Sequence, residues 1–520
     1  MSTDTQGCAR DSSWPGMYVG PAALTSGEFA ALTRRLLGLR PERLRDAVER
    51  ELRFGTGDPG IPGVLLYTST PAKDTLGAAL AEVAAGRPPV DWPTIIEARS
   101  VLLAQPGDLH VGRSAPWRAA AGNRLTAVVP DTGHYYFLHS LLVLAARDDP
   151  SLDPIVGHIR RNPEGSIRVY AADEPTLAFL LWLRRRAGVA TLNVEANHPA
   201  VFEAWSHKAV LHPRVDEAAA LRVGPDPRHT LAAETALTPL ARELGIRVPR
   251  LPGYTLPADL SFDGAFRAAA TLLRDRFGIT RGCLKAAKSS SGQGIRTDID
   301  LAAELPGPPG PACGEWVLEA QAEYCRLPVT GHLFQLAPSV HLRRGTPADG
   351  MTLQFLSDTF WQGNVYFDRD SCEAAGVPVP VYDRIRAALI DLHSALHELG
   401  LVTGGIDFAV ARVGGRFGRS ALTGLQDLNL SACGADLLRA FRDRTRESGL
   451  RSAATKVVVP PQNMTTADLQ RLLDGHTDLP ATAIACIPGQ WAMIAVAAPG
   501  PVAAAEAACR LTLEVSKLSE

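Results

Sequence analysis

The sequence predicts a mixed α/β and α+β protein built from several domains. Its 520 residues are too many for one core, because a domain usually holds about 100–200 residues. Residues 167–170 form an apolar run, 176–187 read as a helix stopped by Gly188, and 189–194 form a second apolar run. That order is a βαβ unit and implies a parallel sheet covered by helices. Residues 406–410 and 425–430 read as apolar strands joined by a turn-rich segment holding Gly414 and Gly415, the pattern of an antiparallel hairpin.

Composition narrows the function classes. The 53 basic and 55 acidic residues leave a net charge of -2, so no global field draws the chain to nucleic acid or an anionic membrane. Only six of the basic residues are lysines (73, 208, 285, 288, 456 and 517), against 47 arginines. In a chain where Arg is the default cation, these few lysines mark places where a compact ammonium is not exchangeable for a planar guanidinium. No basic stretch followed by an apolar run opens the sequence, and no run of 18 apolar residues occurs, so neither a secretory signal nor a membrane span is expected. Eight cysteines (8, 283, 313, 325, 372, 433, 486 and 509) form no CxxC pair and read as reduced thiols of a cytoplasmic protein.

Along the chain, Thr25 and Glu28 form a capping box for a helix over 25–52, with Phe29, Leu32, Leu36 and Leu37 as its apolar stripe. Residues 1–60 are thus expected to be a helical extension, and 61–205 an α/β domain with apolar runs at 64–67, 125–129, 167–170 and 189–194. The loops 131–134 and 173–175 follow strands, where α/β sheets place ligands, or are ordinary polar turns. A Pro-rich connection at 248–252 and a helix over 263–277 lead into a strand and loop at 283–295. Residues 382–399 place Ile385, Leu389, Leu392, Leu396 and Leu399 on one helical face, with Gly400 as the stop. Residues 446–520 are expected to be a small α+β domain, with a strand at 456–459, a helix after Thr465, a strand at 491–496 and a helix after Pro501.

Three segments carry chemistry. In the first, Lys285 ends an apolar strand and Lys288, Ser289, Ser290, Ser291, Gly292 and Gly294 follow. Such a loop offers backbone amides and hydroxyls to phosphate oxygens, with the ammonium as countercharge, although a flexible hairpin turn has the same composition. In the second, Asp427 and Asn429 project from one face of a strand, with Asp407 on the strand across from them. Two carboxylates and an amide oxygen make a hard site suited to Mg²⁺ when phosphate completes the shell; solvent-facing strand residues are the alternative. In the third, Trp316-Val317-Leu318-Glu319-Ala320-Gln321 is an apolar strand running into a polar hinge whose main chain could meet an adenine ring.

Taken in order, Lys-x-x-x-Ser-Ser-Ser-Gly-x-Gly-Ile, a strand carrying Glu, Gly-Ile-Asp-Phe and then Asp-x-Asn resemble the ATP-grasp superfamily. The segment 197–211, with Asn197, Pro199, His207 and Lys208, resembles the lead-in that brings a second ATP-binding lysine. Residues 317–345, with Leu327-Pro328-Val329 and Pro338-Ser339-Val340-His341-Leu342-Arg343, resemble the peptide-ligase branch typified by the pheganomycin ligase. The resemblance implies a Rossmann-like α/β domain before the grasp, the grasp itself over 206–445 (nucleotide-binding lobe about 245–325, metal-binding lobe about 326–445) and a small C-terminal domain.

It implies ATP and Mg²⁺ as cofactors, Lys208, Lys285 and Lys288 as phosphate contacts, and Ser289, Ser290, Ser291, Gly292 and Gly294 as the loop over the phosphates. Glu319, Ala320, Gln321 and Ala322 become the adenine hinge, Glu323 the ribose contact, and Asp407, Asp427 and Asn429 the metal ligands. The implied reaction joins a small carboxylate to an amine, such as amino acids or short peptides, through an acyl phosphate in specialised metabolism. Nucleic acid and membrane are not expected as partners, and a homodimer is allowed for. A macrocyclase acting on a precursor peptide and an ATP-binding module without catalysis are the alternatives. Two departures stand out: Asp427 replaces the usual Glu, and the positions where relatives place an Arg hold Gly405 and Ser431. Arg343 and Arg344 are the candidate replacement cations, with Lys285, for the catalytic charge.

Overall fold

The computed structural model describes residues 23–68, 96–98, 100–113, 127–130, 132–134, 136–218, 250–288, 295–303, 307, 314–329, 332–357 and 360–518. The first layer is a six-stranded, wholly parallel sheet in the order β1-β6-β5-β2-β3-β4. Its strands are β1 (Leu52–Phe54), β2 (Val64–Leu66), β3 (Leu109–Arg113), β4 (Ala127–Val129), β5 (Ser166–Val169) and β6 (Leu192–Glu195). The expected βαβ unit is β5, the helix Glu174–Ala187 and β6. The helix expected over 25–52 is two helices, α1 (Ser26–Leu37) and α2 (Leu44–Glu51). Thr25 and Glu28 cap each other's backbone, and Gly38, at φ 66°, ends α1 in the left-handed conformation that glycine adopts most readily. Leu37 is part of the same core as the strands, with Phe29, Leu32 and Leu36 packed against it, so these helices belong to the layer. They are joined there by α3 (Phe137–Ala146), α4 (Asp153–Arg161) and α5 (Glu174–Ala187). Asp173, in a loop read as a ligand position, caps α5 by accepting from the Thr176 amide at 3.1 Å and hydroxyl at 2.6 Å. Asp131, of the other such loop, lies outside the described residues.

The docking of α1 carries a pH dependence. His139 Nδ1 accepts from the Leu24 amide at 3.1 Å, and burial, helped by His134, holds this imidazole down to about 4. The folded state therefore keeps it neutral while the unfolded chain protonates near pH 6.5, so this contribution is intact above about pH 6.5 and is lost as pH falls toward 4. Hydrogen-exchange protection of the α1 amides, corrected for intrinsic rate, is expected to drop at least tenfold between pH 6.5 and 4.5. Constant protection would contradict the linkage.

Helix α6 (Pro199–Trp205) and a 3-10 turn (Lys208–Leu211) lead to a four-stranded antiparallel sheet ordered β7-β10-β8-β9. It comprises β7 (Gly253–Leu256), β8 (Arg281–Ala286), β9 (Ile295–Asp300) and β10 (Trp316–Ala320), and α7 (Phe262–Phe277) packs its apolar face on it. A third sheet runs β11-β18-β14-β16-β17-β20-β22-β21. These are β11 (Glu323–Tyr324), β14 (Pro338–Arg343), β16 (Met351–Ser357), β17 (Phe360–Phe367), β18 (Gly404–Arg412), β20 (Ser452–Val458), β21 (Ala481–Ile487) and β22 (Trp491–Ala498). Strand β15 (Thr346–Pro347) pairs with β14 and β19 (Leu422–Asn429) with β18, while β12 (Arg326–Val329) and β13 (His332–Gln335) form a separate hairpin.

The helix expected over 382–399 is α8 (Val379–Leu396), with Ile385, Leu389, Leu392 and Leu396 buried. Leu399 falls beyond its last turn and is exposed. After α9 (Gly434–Thr445) the chain does not leave the sheet: β20 pairs antiparallel with β17, so the C-terminal strands prolong the central sheet. Gly363 makes the junction possible. Its φ is 139°, and a Cβ there would stand 2.0 Å from the Thr455 carbonyl oxygen. Helices α10 (Thr466–His476) and α11 (Pro501–Lys517) contribute buried residues to the core beside these strands. Among the described residues no helix is long and apolar enough to cross a membrane.

Candidate active site

The four-stranded sheet and the long sheet enclose a cleft of about 300 Å³. One wall carries Cys283 and Lys285 from β8, Thr297 from β9 and Glu319 from β10; the other carries Ser339 and His341 from β14, Asp407 from β18 and Asp427 and Asn429 from β19. Lys285 sits across β8–β10 from Val317, one position from the Leu284–Leu318 pair. Period-two alternation therefore sends Leu284 and Leu318 into the core under α7 and Lys285 and Glu319 into the cleft.

The buried ammonium of Lys285 pairs with Glu319 Oε1. Burial alone would lower its pKa, but the Glu319 carboxylate overrides that and holds it above the usual lysine value. The Glu319 Oε2 atom meets His212 Nε2 at 3.1 Å, and His212 Nδ1 meets Nη1 of the fully buried Arg250 at 2.9 Å. Because a guanidinium only donates, Nδ1 must accept, and the ring proton sits on Nε2 facing Glu319. Burial holds His212 neutral, with its pKa down to about 4. Burial would push the Glu319 carboxyl up, but Lys285 and then His212 bring it below the ordinary range.

Lys208 enters from the lead-in. Its amide donates to the Ala287 carbonyl at 2.9 Å, and its ammonium lies 3.0 Å from Asp427 Oδ2. Asn197 anchors that lead-in: Nδ2 donates to the Thr403 and Leu430 carbonyls at 2.7 and 2.8 Å, and Oδ1 accepts from the Val402 and Thr403 amides at 2.6 and 2.8 Å. One amide thus fastens the chain to the ends of β18 and β19, which places Lys208 beside the carboxylates.

Asp407 and Asp427 are direct cross-strand partners, as are Gly405 and Asn429. Asp407 accepts from Ser339 Oγ at 2.5 Å and from Asn429 Nδ2 at 2.9 Å, and Gln354 Nε2 donates to Ser339 Oγ at 2.9 Å. Burial, reinforced by Asp427, pushes Asp407 up to about 6. Like charges face to face on a sheet are destabilising, and beyond the Lys208 ammonium the site calls for further positive charge. Among the described residues no group of three or more His, Cys, Asp or Glu could hold an ion by itself. The donor set therefore fits a hard divalent cation only where phosphate oxygens or water supply the remaining ligands, as Mg²⁺ requires.

The other expected site residues fall as follows. Gln321 and Ala322 line the cleft at the hinge and Ala320 is buried behind it. Glu323 is exposed and pairs in register with Arg412. Lys288 is exposed at the end of the described part of β8's loop, and Ser289, Ser290, Ser291, Gly292 and Gly294 lie outside the described residues.

Arg343 and Arg344 are not brought into the cleft. They line a second cavity of about 680 Å³ at the carboxyl ends of β2, β5 and β6. There Arg343 Nη1 donates to Asp443 Oδ2 at 3.2 Å. Arg344, at φ 51° in the turn after β14, grips both Glu195 oxygens at 3.1 and 3.2 Å. The turn carries Arg344 off the strand face, which sequence spacing does not reveal.

Sequence reasoning missed Ser339 and His341, although they alternate with Arg343 along one strand. It also missed His212 and Arg250, which are far apart in sequence. Cys433 lines the cleft, but burial pushes its thiol well above the ordinary value, so it is no thiolate nucleophile.

No family model and no curated protein matches the chain. Solved structures similar to it include an ADP complex of an N5-carboxyaminoimidazole ribonucleotide synthetase, at 10% identity and a TM-score of 0.48, covering 89% of this chain and 99% of that one. The Staphylococcus aureus N5-carboxyaminoimidazole synthetase with ADP is 9% identical, at a TM-score of 0.43, with 89% and 98% covered. The Aspergillus clavatus synthase with ADP and 5-aminoimidazole ribonucleotide is 12% identical, at 0.42, with 88% and 99% covered. Likeness at these identities says nothing about substrate.

Proposed function

We propose that the chain is an ATP-dependent carboxylate–amine ligase of the ATP-grasp kind, joining a small acid, such as an amino acid, to an amine. The observation that supports this most directly is the convergence of Lys208, Lys285, Asp407, Asp427 and Asn429 on one cleft between two antiparallel sheets. Two ammonium groups suit the phosphates of a nucleotide, and the facing carboxylates would suit a magnesium ion carried with it.

The Gln321–Ala322 hinge would face the base. A substrate carboxylate oxygen attacks the γ-phosphorus, and the bond to the β-phosphate oxygen breaks, giving an acyl phosphate and ADP. The amine nitrogen then attacks the acyl carbon, the carbon–oxygen bond to phosphate breaks, and the nitrogen loses a proton to leave an amide and inorganic phosphate. The cation, when bound, supplies charge neutralisation on the phosphoryl oxygens. The chain's own part is placement: Lys285 and Lys208 hold phosphate oxygens, Asp407, Asp427 and the Asn429 Oδ1 atom would hold the cation, and Ser339 and the Asn429 amide N–H fix the Asp407 carboxylate. No enzyme nucleophile is needed.

The test is ADP release from MgATP with the twenty amino acids, singly and in pairs, and with 5-aminoimidazole ribonucleotide plus bicarbonate as a separate arm. Hydroxylamine serves as trap for acyl phosphate. Acid-dependent hydroxamate and ADP in equal amounts are expected, and Asp427→Asn should lower that rate by about 1000-fold and raise the Mg²⁺ concentration needed. MgATP binding without hydroxamate from any acid would instead identify a nucleotide-binding module.

A further inference from the structure

The end of the cleft beyond Asp407 is walled by Tyr170, His341, Trp361, Gly405 and the first turn of α9. His341 is 2% exposed, and its Nδ1 lies 3.3 Å from Nη2 of Arg439, a guanidinium on α9 that is itself 1% exposed. Arg439 is held in turn by Asp349, through the backbone carbonyl and through Oδ1 at 3.3 Å. A guanidinium cannot accept, so Nδ1 accepts and the imidazole proton is fixed on Nε2.

The opposite edge of the ring faces β18. His341 and Gly405 are cross-strand partners, and a Cβ at 405 would lie 3.2 Å from Cδ2 and 3.5 Å from Nε2. Any side chain at 405 would crowd the space this edge occupies. The glycine at 405 and the buried histidine are therefore one feature: the glycine leaves room for the ring.

We propose that His341 is a catalytic residue of the ligase reading above, donating from Nε2 to the acyl oxygen of the carboxylate substrate at the far end of the cleft, with Arg439 as its positioning residue. The inference rests on that reading. A neutral donor suits the site. Burial, then Arg439, Arg343 and Arg386, hold the imidazole well below its ordinary value, and a fixed N–H aimed where negative charge develops needs no reorganisation. The positive end of the α9 dipole, at Gly434 and Ala435, lines the same end of the cleft and favours the same charge. A Cβ on Gly434 would stand 2.5 Å from the Trp361 ring, so this glycine lets the indole close against the helix start and bound the acyl pocket.

The experiment compares the wild-type chain, His341→Phe and His341→Gln in two assays: MgADP binding by calorimetry, and hydroxamate formation from MgATP, hydroxylamine and the twenty amino acids. Phenylalanine keeps the ring and removes the donor; glutamine returns an N–H near the Nε2 position. His341→Phe is expected to bind MgADP within twofold of wild type, to keep KM for ATP, and to lose about 100–1000-fold in kcat. His341→Gln should recover at least tenfold of that loss.

A Phe variant within threefold of wild-type kcat would overturn the proposal, as would a Gln variant no better than Phe. Loss of MgADP binding in the Phe variant would reduce His341 to a packing role and overturn it too. Wild type that binds MgADP yet forms no hydroxamate with any acid would remove the ligase reading itself, a result distinct from these and one that takes the proposal with it.

Discussion

Replacing Lys285 by Arg is expected to reduce ATP turnover at least 100-fold although the charge is kept. The pocket explains why. The Lys285 ammonium is buried against Glu319 Oε1, and the other carboxylate oxygen is already engaged by His212 Nε2 at 3.1 Å. A guanidinium seeks two acceptors in one plane, and here one oxygen is free to it. Its greater width, beside Cys283 on the same wall and Tyr324 of the facing sheet, would also force side chains off their rotamers, at a cost of about 1–3 kcal/mol. The displaced charge would then miss the phosphate oxygens it is proposed to hold. Steady-state ADP release at saturating MgATP, on a variant whose unfolding midpoint stays within a few degrees of wild type, measures this. A variant retaining a third or more of wild-type kcat would remove Lys285 from the phosphate site.

The second large effect falls on stability. Glu319→Ala leaves the Lys285 ammonium and the His212 N–H buried without their shared acceptor. Breaking a buried pair from one side typically costs about 3–5 kcal/mol, and the stranded imidazole donor adds the desolvation of an unsatisfied polar group. Unfolding followed by fluorescence and by calorimetry should show a transition roughly 10 °C below wild type. The double variant Lys285→Met with Glu319→Leu should melt higher than Glu319→Ala, because replacing both partners by apolar groups removes the uncompensated charge. If Glu319→Ala melts within 2 °C of wild type, the network does not hold the small sheet together. A metal-site variant such as Asp427→Asn is expected to have the opposite profile, with turnover lost and the fold little changed.

Much of the cleft was legible from residue order. Alternation along 425–430 placed Asp427 and Asn429 on one face, and the register sets Asp407 directly opposite Asp427. The scarcity of lysine, taken with the resemblance, singled out Lys208, Lys285 and Lys288; the first two line the cleft and Lys288 is exposed. The same alternation runs through Ser339, His341 and Arg343, but charge alone drew attention to the arginines. The two buried polar residues before them reach the cleft, while Arg343 is engaged by Asp443. Burial was the deciding property, and burial is not a property of a short segment.

What the sequence determined by itself is local. Caps at Thr25 and Thr465, the βαβ order and the side of each strand that carries chemistry all follow from contacts within a few residues and from the period-two pleat. What only the tertiary structure decided is where distant segments meet. The C-terminal strands continue the central sheet through Gly363 rather than standing apart. Asn197 staples the lead-in to β18 and β19 across more than 200 residues of sequence. His212, Arg250 and Glu319 form one buried relay, and Arg344 turns away to Glu195. Each outcome balances desolvation of a polar group against partners from other elements, and those partners exist only once the layers have packed.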